Sequence, residues 1–251
     1  MENTLDRKWY ETTSFALHVL AMFLMLCDHL WSTLLPQYTV LTCLGRIAYP
    51  IFAFMIAEGY FHTHDFKKYA LRMLCFALVT EIPFDLMYNG NAIYPYHQNV
   101  MWTFLIALLG MKGIDMVKEK GRLPLTILAS AGIVILCIAA GFAGVTDYYG
   151  FGVLTVFTFY FFHERKWWCY IGQIILIYWI NVEQLGGLYY DVEILGHNFE
   201  LVQQGLALIA LIPIWLYRGR QGYHSKWFQY FCYAFYPVHM LVLVLIGMAT
   251  I

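Results

Sequence analysis

The chain has 251 residues, of which 61% are apolar and 12% charged, with a net charge of −1. A water-soluble domain carries roughly 25% charged residues, so a soluble enzyme and a disordered chain are excluded, and nothing in the charge points to nucleic acid. Almost the whole chain reads as membrane-embedded.

The first eleven residues carry mixed charge, including Arg7, Lys8 and Glu11. The apolar run 15–35 is too long for the core of a signal peptide and has no small-residue cleavage site, so it reads as a retained first helix. A bilayer core takes roughly 17–25 residues of helix. In chain order the predicted spans are 14–35, 44–62, 68–88, 98–116, 123–143, 149–163, 166–184, 200–217 and 228–250. The sixth is the shortest. The expected fold is an all-α polytopic bundle of about nine transmembrane helices in one domain, residues 1–251.

The cations alternate across these spans. Arg7 and Lys8 precede the first. Lys67, Lys68 and Arg72 follow the second; Lys112, Lys118, Lys120 and Arg122 follow the fourth. Arg165 and Lys166 follow the sixth, and Arg218, Arg220 and Lys226 the eighth. Of the 15 cations only Arg46 falls at an opposite turn. Lys and Arg concentrate in cytoplasmic loops, so the N-terminus is expected in the cytoplasm and the C-terminus outside. Trp9, Trp31, Tyr94, Trp167, Trp168, Trp215 and Trp227 fall near the expected interfaces, as an aromatic belt requires. The six cysteines form no C-x-x-C pair. They read as small apolar residues rather than a zinc or disulfide framework.

Ionisable residues inside a span cost about 2.5–3.5 kcal/mol on insertion scales and are usually paired or functional. Asp28, His29, Arg46, Glu58, Glu81, Asp85 and His239 are such residues, with His18 near an edge. At about 1.5 Å per residue, Asp28, His29, Arg46, Glu81, Asp85, Asn99, Asp147 and His239 share the outer half of the membrane. Structural roles stand beside functional ones. Arg46 can pair with Glu81 or Asp85, Asp28 can bond a neighbouring helix, and His239 can make a simple interhelical hydrogen bond. Asp28 and His29 point about 100° apart and cannot both face one neighbour squarely. Glu58, His62 and His64 do not match a metal motif, and an ion pair of Glu58 with Arg72 or Lys68 is expected instead. No metal is expected.

Several segments resemble a known family. They are M-L-C-D-H (25–29), L-G-R-I-A-Y-P-I-F-A-F-M-I-A-E-G-Y-F-H-T (44–63), K-K-Y-A-L-R-M (67–73), F-A-L-V-T-E-I-P-F-D (76–85), Q-N-V (98–100) and D-Y-Y-G-F-G-V-L (147–154). Together they resemble the TraX family of multispanning bacterial membrane proteins, whose namesake acetylates the N-terminus of conjugative pilin. The family in turn is similar to the wider transmembrane acyltransferases. Tyr-Pro-Val-His at 236–239 is a further, four-residue similarity. The resemblance implies a multi-pass protein of the bacterial cytoplasmic membrane. It would take acetyl-CoA from the cytoplasm and act on an amine or hydroxyl acceptor, a peptide or pilin N-terminus or a glycan.

On that reading His29 is the general base, and Asp28 orients it or holds the acceptor. Arg46 and Asn99 contact the oxyanion or a substrate carboxylate. Glu81, Asp85 and Asp147 receive a cationic acceptor, with His239 also on the substrate side. His18, Glu58, Lys67, Lys68 and Arg72 lie on the cofactor side, where cations would meet CoA phosphates. A buried Cys27 without an activating base is not expected to carry an acyl group. A homodimer is left open. Two rival classes remain, a small-molecule transporter or flippase and a non-enzymatic pilus-assembly factor. The charge alternation predicts that a reporter fused after residue 251 is active outside the cytoplasm, whereas one fused near Lys118 is active inside. A cytoplasmic C-terminus would remove the nine-span arrangement.

Overall fold

The computed structural model describes residues 11–194 and 196–249. Arg7, Lys8, Trp9 and the last residue of the predicted ninth span lie outside them. The elements are α1 (Ser14–Thr33), α2 (Thr39–Gly45), α3 (Ala48–His62), α4 (Phe66–Asn89), α5 (Val100–Lys120), α6 (Leu123–Ala143), α7 (Tyr149–Phe161) and α8 (Trp167–Tyr178). A π-helical segment (Trp179–Leu185), strands β1 (Tyr189–Ile194) and β2 (His197–Val202), a 3-10 segment (Gln203–Ala210), α9 (Leu211–Leu216) and α10 (Lys226–Ala249) complete the order.

Local chemistry sets the boundaries. Thr13, Asp65 and Asn99 start α1, α4 and α5 by accepting from the backbone N–H of Ala16, Lys68 and Met101, which satisfies otherwise orphan helix donors. Gly90 ends α4 in the left-handed region. Pro124 sits in the first turn of α6, where its missing N–H costs nothing.

Five segments are long and apolar enough to cross a membrane: Ser14–Thr33, Thr39–His62, Val100–Glu119, Leu123–Ala143 and Lys226–Ala249. The other four predicted spans fall on helical segments that are shorter or, in α4, interrupted by charge. The second span starts earlier than expected, because α2 and α3 run on with a break at Arg46–Ile47. Helix α5 continues to Lys120, so Lys112 lies inside it rather than in a turn. The 200–217 span is corrected at its start. Residues 189–202 form an antiparallel hairpin, Tyr189 opposite Val202 through Ile194 opposite His197, and helix begins only at Gln203. The alternation Asp191-Val192-Glu193-Ile194 is a strand pattern, and Gly196 supplies the positive φ of the turn.

Helix α3 lies at the centre, packed by α1, α5 and α7. Ile51, Ala53 and Phe54 of α3 are buried with Leu17, Leu108, Val156, Phe157 and Phe159. The outer surface is apolar: Leu78, Val79, Ile82, Leu128, Ile135 and Leu136 are all exposed, while Asn99, Thr103, Gln173, Asn181 and His239 are buried. That inversion suits lipid as solvent, where polar side chains must find partners inside the bundle. Helix α6 meets α7 at Gly141, where a Cβ would fall 2.9 Å from the Gly150 Cα, so the two backbones touch.

Helix ends sort into two groups. At the basic end, the N–H of Thr12 donates to the Leu216 carbonyl, and Arg165 donates to the carbonyl of Tyr217. Asp115 of α5 accepts from Tyr60 of α3 at 2.6 Å and from Tyr160 of α7, whose oxygen accepts from Lys118 at 2.9 Å. One carboxylate therefore ties three helices. Asp115→Ala leaves two hydroxyls without their acceptor, and at about 1–3 kcal/mol for orphaned groups it should lower the melting temperature by several degrees. Asp115→Asn, which keeps an acceptor oxygen, should lower it less.

Candidate functional site

At the far end, α1 and α2 are joined by an ion pair. Arg46 donates through Nη2 to Asp28 Oδ1 and to Thr42 Oγ1 (3.2 Å), and through Nε to the Thr42 carbonyl (3.2 Å). The Thr42 hydroxyl donates to the same Asp28 oxygen at 2.8 Å. Gly45 makes room, because a Cβ there would lie 2.5 Å from Asp28 Oδ1. Arg46 thus pairs with Asp28, not with Glu81 or Asp85.

His29 points the other way, as its 100° offset requires. It is buried, and its Nδ1 lies 2.6 Å from Nε2 of His239 on α10. The His239 Nδ1 lies 2.6 Å from the Phe235 carbonyl. The hydrogen-bond partner of His29 is therefore His239 rather than Asp28, and His239 lines neither of the two cavities described below.

Asp28 and His29 both line a cavity of about 310 Å³, together with Arg46, His97, Asp147 and Gln204 and with Tyr49, Tyr88, Tyr148 and Tyr236. Asp147 reaches it from the loop before α7, where Val145, Tyr148 and Tyr149 all have positive φ. That conformation costs a non-glycine residue roughly 1–3 kcal/mol. Backbone bonds hold it: Gln98 N–H to the Val145 carbonyl (3.0 Å), Asp147 N–H to the Gln98 carbonyl (2.9 Å), and Thr103 Oγ1 to the Asp147 carbonyl (2.8 Å). His97 Nε2 lies 3.8 Å from Asp147 Oδ1, and that carboxylate raises the imidazole pKa above its ordinary 6.5.

Besides His239, three expected residues of the far side are not in this cavity. Glu81 accepts from Asn99 Nδ2 and from Trp102 Nε1 (2.8 Å), and Asn99 also donates to the Ala77 carbonyl (2.9 Å). Both residues clamp α4 to α5. Asp85 is buried and accepts from the Tyr94 N–H at 2.6 Å. Matching depth did not bring these groups to one lateral position.

A second cavity, of about 420 Å³, opens from the basic end. His18, Glu58 and Arg72 line it, and Met22, Met25, Met55, Met73 and Met101 contribute much of its apolar wall. Lys67 and Lys68 do not line it; both are exposed, and Lys68 pairs with Asp65 at 3.0 Å. Glu58 pairs with His163 (2.8 Å) and His62 (3.6 Å) rather than with Arg72 or Lys68. His18 Nδ1 meets the Ser14 carbonyl at 2.7 Å. The two cavities share Met25, Phe52, Val100, Phe104 and Tyr236 in their walls. These five residues form a wall common to both cavities, a collar between them, and His29 follows Met25 by one helical turn.

The family model described as TraX protein matches residues 14–247. The chain belongs to the TraX family. It is also similar to a protein named probable fimbrial assembly protein FimC, serogroup H1, of Dichelobacter nodosus, with 27% identity over 92% of this chain and 94% of that protein. No solved structure matches it. Of the segments quoted for the resemblance, Asp28 and His29 and also Asp147 and Tyr148 end on the far cavity. Tyr49, Tyr88, His97 and Gln204 belong there too and were missed. Tyr49 lies inside the matched run 44–63, and His97 directly precedes the Q-N-V run at 98–100.

Breaking a buried ion pair leaves an uncompensated charge and costs about 3–5 kcal/mol at full burial. With side chains 17% exposed, Asp28→Ala should approach that range. Asp28→Ala with Arg46→Met should recover much of the loss, which a double-mutant cycle of melting curves measures.

Proposed function

We propose that this TraX-family protein is an acetyltransferase of the bacterial cytoplasmic membrane, with nine spans, its N-terminus in the cytoplasm and its C-terminus outside. It moves an acetyl group from cytoplasmic acetyl-CoA to an amine or hydroxyl acceptor in the far cavity. One observation carries the reading: His29 stands just beyond the collar where the two cavities meet. A donor arm entering from the basic end and an acceptor entering from the opposite side would converge there.

Acetyl-CoA supplies the acyl group as a thioester. His18, Arg72 and the methionine-lined wall suit a donor with an anionic head and a flexible arm. In the far cavity His29 removes the proton from the acceptor N–H or O–H as that atom attacks the thioester carbonyl. Arg46, whose guanidinium lines the cavity, faces the developing oxyanion. The C–S bond breaks, the new C–N or C–O bond forms, and the proton held on His29 passes to the departing thiolate. Asp147 and His97 lie where the acceptor would enter.

The fimbrial-assembly name of the similar protein favours a second reading, a pilus-assembly factor without catalysis. A transporter would also use two cavities meeting at a collar. Purified protein incubated with radiolabelled acetyl-CoA and amine or sugar acceptors separates these classes, since only the enzyme labels the acceptor. Losing a general base costs about 10²–10⁴-fold in rate. His29→Ala should lower labelling by that order per folded molecule, with acetyl-CoA affinity retained. Normal turnover beside a lowered melting temperature would make His29 a packing residue.

A further inference from the structure

The hydrogen bonds around His239 fix the polarity of the site. A carbonyl can only accept, so the 2.6 Å contact to the Phe235 oxygen puts a proton on His239 Nδ1. A neutral His239 then has a bare Nε2. The 2.6 Å contact between that atom and His29 Nδ1 must therefore be donated by His29. The two imidazole planes lie 9° from parallel with centres 4.8 Å apart, and with so short an N–N contact the rings meet edge to edge. The Phe235 ring, 4.8 Å from His239 and 14° from parallel, backs the arrangement.

We propose, resting on the acyl-transfer reading, that His239 is the positioning residue of the reaction: it locks His29 as the Nδ1–H tautomer and so leaves Nε2 as the bare nitrogen turned to the cavity. Among the described residues no protein group bonds that Nε2. Free histidine prefers the opposite tautomer, in which Nε2 carries the proton and cannot act as a base at that atom. When His29 takes the acceptor proton on Nε2, its Nδ1 proton shifts toward His239 Nε2. The charge then spreads over two rings anchored on the Phe235 carbonyl. Tyr88 on α4 and Tyr236 on α10 approach the His29 ring, and the other titratable or charged groups lining the cavity with it are Asp28 on α1, Arg46 after α2, Tyr49 on α3, and His97, Asp147 and Tyr148 from the loops.

Two substitutions test it in the full chain. His239→Phe fills the space without an acceptor, and His239→Gln restores an acceptor oxygen. With ¹⁵N-histidine label, and His29 assigned by its loss in His29→Gln, the wild type should show His29 protonated at Nδ1 at pH 8. His239→Phe should move the proton to Nε2, lower kcat about 10- to 100-fold, the range seen when the outer partner of a working metal-bound histidine is lost, and leave the KM for acetyl-CoA within about twofold. It should also displace the ascending limb of the pH–rate profile. His239→Gln should keep the wild-type tautomer and most of the rate. An unchanged tautomer and rate in His239→Phe, or a wild-type His29 protonated at Nε2, would overturn the inference while leaving acetyl transfer intact. A wild type that labels no acceptor would instead overturn the acyl-transfer reading and the catalytic role of His239 with it, whatever the tautomer.

Discussion

The pair formed by Arg46 and Asp28 sets the geometry of the far end. It sits at the break between α2 and α3, inside the second span, and Gly45 lets the backbones come close enough for it. Because it fixes the rotation of α1 against α2, it fixes where the next residue points. His29 is turned toward α10 for that reason, and the histidine pair forms between the first and last helices of the bundle. An electrostatic contact with a structural role thereby positions a chemical group that it does not touch.

The membrane class and most helix positions were legible in the sequence. Hydropathy and charge alternation report position along the membrane normal, because lipid penalises polar groups by depth. Lateral position is a different matter. Glu81, Asp85 and Asn99 were expected at the depth of His29, yet Asn99 caps α5 and takes Glu81 to the α4–α5 contact, while Asp85 accepts from the Tyr94 N–H. Which of Asp28 and His29 met which neighbour followed from rotation about an axis that no single-chain pattern fixes. The hairpin at 189–202 was not predicted: residues 189–199 fall between the seventh and eighth expected spans, and only 200–202 fall inside the eighth.

Tyrosine supplies much of the far cavity's wall. Tyr49 and Tyr148 stack at 4.1 Å, and Tyr88 and Tyr236 approach the His29 ring at 6.1 Å. Rings of this kind give rigid walls with polar rims at small cost in conformational freedom. Tyr148 holds its place only through a strained turn, which the bonds from Gln98 and Thr103 keep closed. Strain localised beside a cavity and offset by the surrounding scaffold is the usual mark of a position selected for placement rather than for stability.

The collar of Met25, Phe52, Val100, Phe104 and Tyr236 has an energetic meaning for the cell. A bacterium stores work as a voltage and a proton gradient across its cytoplasmic membrane, about 2.3 kcal/mol per charge for each 100 mV. Two wet cavities joined by an open passage would discharge that store continuously, whatever else they did. Four apolar side chains and one tyrosine in the shared wall would oppose such a passage, because a hydrated ion crossing them would have to shed its water. A flexible thioester arm has no such water to lose. On the proposed acyl-transfer reading, the shared wall would pass chemical energy in the form of an acyl group while insulating the membrane electrically.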